Sequence, residues 1–149
     1  MNGPRVYPML SSPGDDSPRP FIVVVDDEQR IADTLVLILN SKGYAAQAAY
    51  DGASALDICR HKIPDLVLSD VAMPGMNGIE LAIEIRRQFP GCHILLFSGQ
   101  ADTAEILENA RRRGDDFELL AKPLHPEELF IKIEKLVGPR DARQQMGGP

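Results

Sequence analysis

The chain of 149 residues carries 22 acidic against 16 basic side chains, a formal charge of -6. That length suits one domain with a real core, and the negative field works against general binding of nucleic acid or of an anionic membrane surface. Residues 1–20 hold no apolar segment of a secretion signal, no run approaches a membrane span, and Cys59 and Cys92 have neither CxxC nor metal-ligand spacing, so a reduced cytoplasmic protein is expected.

Residues 1–19 are rich in Pro, Ser, Gly and Asp and are expected to form a disordered leader. Phe21 to Val25 is a continuous apolar run, as in a strand buried on both faces, and it ends in Asp26-Asp27-Glu28. A helix follows with Ile31, Leu35, Ile38 and Leu39 on one face and Gly43 as its stop. Tyr44 to Tyr50 reads as a weaker edge strand. Asp51-Gly52 opens a second helix carrying Ala55, Leu56 and Cys59, and Pro64 stops the chain after it. Asp65 to Ser69 is the third strand, with Asp70 where it ends. Pro74-Gly75 then turns the chain, and Asn77 caps a helix from Gly78 to Gln88 with Leu81, Ala82 and Ile85 inward. His93 to Phe97 is the fourth strand, ended by Ser98-Gly99. A helix from Thr103 to Arg113 turns Ile106, Leu107 and Ala110 inward. Leu119 to Ala121 is a short fifth strand ending in Lys122-Pro123, and the last helix starts at Pro126 with Leu129, Phe130, Ile133, Leu136 and Val137. Residues 139–149 are expected to be a disordered tail, leaving 20–138 as the folded domain.

Five strands alternating with five helices call for an α/β doubly wound fold, a parallel sheet between two layers of helices. In the strand order 2-1-3-4-5 the switch point lies between strands one and three. The carboxyl ends of all but the edge strand then bring Asp26, Asp27, Asp70, Ser98 and Lys122 to one rim. Each transition from apolar run to polar group is ordinary alone; four together are hard to attribute to capping. Carboxylates this close repel one another unless protonated or neutralised, and an all-oxygen, partly hydrated site suits Mg²⁺. Asp70 can then act as a nucleophile towards phosphorus, with Lys122 pairing with one phosphoryl oxygen, the Ser98 hydroxyl donating to another, and Gly99 leaving room for the group to enter.

Val24-Val-Asp-Asp-Glu28, Asp70-Val-Ala-Met-Pro-Gly-Met-Asn-Gly78, Ser98-Gly99 and Lys122-Pro123 together resemble the receiver domain of bacterial two-component response regulators. The resemblance covers about Pro20 to Gly138. It implies a flavodoxin-like fold and phosphorylation of Asp70 from the phosphohistidine of a sensor histidine kinase or a phosphotransfer protein. It also implies Mg²⁺ held by Asp27, Asp70, the Ala72 carbonyl and Asp26, directly or through water, and a cis bond at Lys122-Pro123. One position departs from the family, which usually has Tyr or Phe three residues before the lysine. Here it is Leu119, and the nearest aromatic is Phe117, in a loop that looks one residue longer than usual.

Two other functions compete. A phosphatase of the haloacid-dehalogenase type needs a second Asp two residues after the nucleophile as general acid/base, and that position is Ala72. A pseudo-receiver would have lost an acidic residue or the lysine, and none is lost. The expected protein is therefore no turnover enzyme. It is a phosphoacceptor that catalyses only its own phosphorylation and slow dephosphorylation, and with no output domain after Gly138 it reads as a stand-alone receiver. It would signal through a protein partner, or a homodimer, on the face shared by the fourth helix, fifth strand and fifth helix.

Overall fold

The computed structural model describes residues 19–99 and 103–138. In chain order the elements are β1 (Phe21–Val25), α1 (Gln29–Ser41), β2 (Ala45–Ala49), α2 (Gly52–His61), β3 (Leu66–Asp70), α3 (Gly78–Gln88), β4 (His93–Ser98), α4 (Thr103–Arg112), β5 (Glu118–Ala121) and α5 (Pro126–Val137). All strand pairs are parallel, in the order β2-β1-β3-β4-β5. Every strand-to-strand crossover therefore carries a helix, and the helices cover both faces of the sheet. The leader and tail calls fall, Arg19 apart, outside the described residues.

Alternation along the strands sends neighbouring side chains to opposite faces. Ile22, Val24, Leu66, Leu68, Leu95 and Phe97 meet Leu35 and Leu39 of α1 and Leu129 and Ile133 of α5. On the other face Val23, Val25 and Val67 meet Leu56 and Cys59 of α2 and Leu81 and Ile85 of α3. A third cluster joins Val71, Ile79, Ala82 and Leu96 to Ala110 of α4. β1 and β3 are buried throughout, which explains their unbroken apolar runs.

Some boundaries move. β2 omits Tyr44, which is buried in the core, and Tyr50, whose phenol donates to Asp33 Oδ1 at 2.6 Å. β4 gains Ser98, α4 stops at Arg112 and β5 begins at Glu118. On α1 the buried residues are Ala32, Leu35 and Leu39. Ile31 and Ile38 are half-buried on the same face, and with Leu35, Leu124 and Pro126 they line a cavity of about 650 Å³. Gly43 has φ 96° and lies just past the α1 C-cap, as read from sequence.

The segment after β3 is fixed at both ends. Asn77 Oδ1 accepts from the Glu80 amide at 2.8 Å while Glu80 Oε1 accepts from the Asn77 amide at 2.9 Å, a reciprocal cap worth about 1 kcal/mol. The Gly78 amide donates to Val71 O at 2.9 Å. A Cβ at Gly78 would collide with the Asp70 carbonyl oxygen, so glycine is what lets α3 begin this close to the end of β3.

Candidate functional site

The sheet delivers the polar groups in register. Asp70 ends β3 opposite Phe97 of β4, and Ser98 ends β4 opposite Ala121 of β5, with Lys122 next along the chain. Asp26 follows β1 directly and its amide donates to Ala49 O at 3.1 Å. Carboxylate oxygens of Asp26, Asp27 and Asp70 lie within 4.8 Å of one another, with Asp26 and Asp70 buried and Asp27 exposed.

Burial and crowding set the charge states. Asp26 Oδ1 accepts from the Glu28 amide at 3.0 Å, whereas its Oδ2 is buried without a hydrogen-bond partner among the described residues. Burial pushes the Asp26 carboxyl up to about 6; the charges of Asp70 and Asp27 add to the rise, and the Glu28 amide and Lys122 oppose it. Burial also raises the Asp70 carboxyl, against the pull of Lys122 and the Ala72 amide. Lys122 Nζ stands 3.3 Å from Asp70 Oδ2, and the Ala72 amide reaches Asp70 Oδ1 at 3.4 Å. The Lys122-Pro123 bond is cis, as the resemblance implies.

A buried, unpartnered carboxylate oxygen beside two more carboxylates is an all-oxygen donor set that fits a hard divalent cation. The same group is poorly suited to an anion unless a cation or Lys122 offsets its charge.

Two contacts of the rim were not part of the sequence reading. The Ser98 Oγ lies 2.7 Å from Thr103 Oγ1, which places one partner of this hydroxyl at the start of α4. The missing side chain at Gly99 accommodates the lysine stem, since a Cβ there would lie 3.0 Å from Lys122 Cβ. Thr103 was not singled out from sequence, where it read only as the start of a helix. Its signal was a hydroxyl residue in a first helical turn, close in sequence to Ser98. Leu119 is 39% exposed on β5. Phe117 packs with the Val71–Ile79 cluster, with the Arg86 guanidinium 4.2 Å from its ring centre.

Residues 22–134 match the family model of the response regulator receiver domain. The chain belongs to this family. Receiver domains are the phosphoacceptor signalling domains of two-component response regulators, and their fold is flavodoxin-like. The chain is 34% identical over 118 residues to the DNA-binding response regulator MtrA of Mycobacterium tuberculosis strain H37Rv, a match covering 79% of this chain and 50% of the relative. It thus spans about half the length of the curated relatives it matches. Among solved structures it is similar to a receiver domain protein from Clostridium thermocellum, with TM-score 0.71, 26% identity and coverage of 85% of this chain and 98% of that one. The receiver domain of NtrX from Brucella abortus gives TM-score 0.69 and 32% identity, covering 78% of this chain and 97% of that one. No helix among the described residues is long and apolar enough to cross a membrane.

Proposed function

We propose that Asp70 of this receiver domain, residues 20–138, accepts a phosphoryl group from the phosphohistidine of a histidine kinase or phosphotransfer protein and signals to a protein partner. The observation that carries this reading is Lys122 Nζ at 3.3 Å from Asp70 Oδ2, at the edge of the three-carboxylate group. An ionised Asp70 oxygen attacks phosphorus in line with the donor's P–N bond. The new O–P bond forms as the P–N bond breaks, and the electron pair leaves on the imidazole. Lys122 offsets charge on the phosphoryl oxygens, and the Ser98 hydroxyl donates to one of them.

Asp26, Asp27, Asp70 and the Ala72 carbonyl would hold Mg²⁺, Asp26 directly or through water. When bound, Mg²⁺ supplies electrostatic stabilisation of the negative oxygens around phosphorus. Ala72 offers no carboxyl to activate water, which favours slow dephosphorylation over turnover. Leu119 and Ile131, 39% and 56% exposed, support the α4–β5–α5 face as the surface for a downstream protein or a second copy. The setting is cytoplasmic.

Intact-mass measurement after incubation with Mg²⁺ and acetyl phosphate tests the reading. One phosphoryl mass is expected on the wild type and none on Asp70→Asn, with uptake slowed greatly by a chelator. Equal labelling of Asp70→Asn would sink the assignment.

A further inference from the structure

Ser98 is the last residue of β4 and Thr103 the first of α4, and their hydroxyl oxygens are 2.7 Å apart at 6% and 5% exposure. A bond this short and this buried is strong for a neutral pair. α4 is otherwise lightly held: Ala110 is its other buried residue, and Ile106 and Leu107 are only partly buried on the Val71–Ile79–Leu96 cluster. On β5, the register partner of Ser98 is Ala121, and Leu119 is exposed; neither has a polar side chain to read the position of Ser98. Phe117 sits under Arg86.

We infer that Thr103 is the positioning residue that ties Ser98 to α4, so that movement of the Ser98 hydroxyl towards Asp70 is carried into the helix through the hydrogen bond between them. This rests on Asp70 as phosphoacceptor and adds the route by which the change leaves it. Each hydroxyl has a single proton. A phosphoryl group on Asp70 brings three acceptor oxygens to the strand beside Ser98 and claims the Ser98 proton. With Thr103 as the donor to Ser98, the pair is kept as a chain from Thr103 through Ser98 to a phosphoryl oxygen. Holding 2.7 Å while Ser98 shifts draws the first turn of α4 towards the site. An aromatic on β5 is not needed for that step.

Amide hydrogen exchange on the full chain, with Thr103→Val and Thr103→Ser, tests this in two arms. In the unmodified protein Thr103→Val, which keeps the shape and loses the hydroxyl, raises exchange in the first turns of α4 about five- to tenfold. Thr103→Ser restores wild-type protection. Unchanged exchange in Thr103→Val would overturn the tie. In the second arm Mg²⁺ and beryllofluoride, a phosphoryl mimic, are added. The wild type and Thr103→Ser change protection across α4, whereas in Thr103→Val the change stays in the loops around Asp26 and Asp70, with acetyl phosphate uptake within about threefold of wild type. An equal α4 response in Thr103→Val overturns the inference. A wild type that takes up neither beryllofluoride nor a phosphoryl mass refutes the acceptor reading instead, and the first arm alone then decides the tie.

Discussion

Lys122 reaches Asp70 across an intervening strand: its Nζ lies 3.3 Å from Asp70 Oδ2, although β4 separates β5 from β3. The stem crosses at Gly99, the first residue after β4, where a Cβ would already stand 3.0 Å from Lys122 Cβ. The lysine thereby places its charge over a buried carboxylate without adding to the acidic group itself.

Lys122→Met should slow phosphoryl uptake from acetyl phosphate about 100-fold, the usual scale for losing one preorganised charge at a site of developing negative charge. Gly99→Val should give a smaller loss by crowding the stem. Rates from intact mass against time check both. A Lys122→Met rate within threefold of wild type would show that the ammonium does no electrostatic work there.

Gly78→Ala should cost about 2–3 kcal/mol of stability, because the new Cβ meets the Asp70 carbonyl and lies 2.8 Å from Val71 Cα, both backbone atoms with little freedom to yield. Gly91→Ala, with nothing within 4 Å of its added Cβ, should stay within about 0.5 kcal/mol. Urea midpoints measure both. Equal midpoints for the two variants would contradict the tight turn after β3.

The apolar runs of β1 and β3 and the residues that end them were legible because both patterns are local: burial on two faces erases alternation, and a carboxylate ends the run. Asn77 was legible for the same reason, as a cap. On α1 the spacing gives the face shared by Ile31, Leu35, Ile38 and Leu39 but not how deeply each is covered, because periodicity gives the direction of a stripe and not the depth of the groove it faces. The Ser98–Thr103 bond depends on how α4 docks, which no spacing within the chain specifies. The lysine stem over Gly99 likewise exists only once β3, β4 and β5 stand side by side.

Cys59 and Cys92 should be inert in the folded protein. Burial pushes the Cys92 thiol up to about 12, with Cys59 and Asp65 adding, and burial raises Cys59 as well. Both side chains are buried and free. Ellman's reagent at pH 8 should therefore titrate no thiol in native buffer and two per chain in guanidinium. Rapid native reaction at either position would be incompatible with these packed sites.

The acidic group should make the metal-free protein less stable as pH rises. With the folded Asp26 carboxyl at about 6 against an ordinary value of 3.8, the folded state holds a proton that the unfolded state has already released. The contribution of Asp26 to stability is therefore full below about pH 4, falls between about pH 4 and 6, and is level above that window. Asp70 is raised in the same sense and reinforces the fall. The shift corresponds to about 1–3 kcal/mol at neutral pH. Asp26→Asn removes the charge while its remaining oxygen can still accept from the Glu28 amide. It should thus be more stable than wild type at pH 7 in chelator and close to it at pH 4. Added Mg²⁺ should raise the wild type towards the variant by offsetting the same repulsion, and should do less for Asp26→Asn. Urea midpoints at both pH values, with chelator and with Mg²⁺, give the comparison; parallel pH profiles in the two proteins would remove Asp26 as the source.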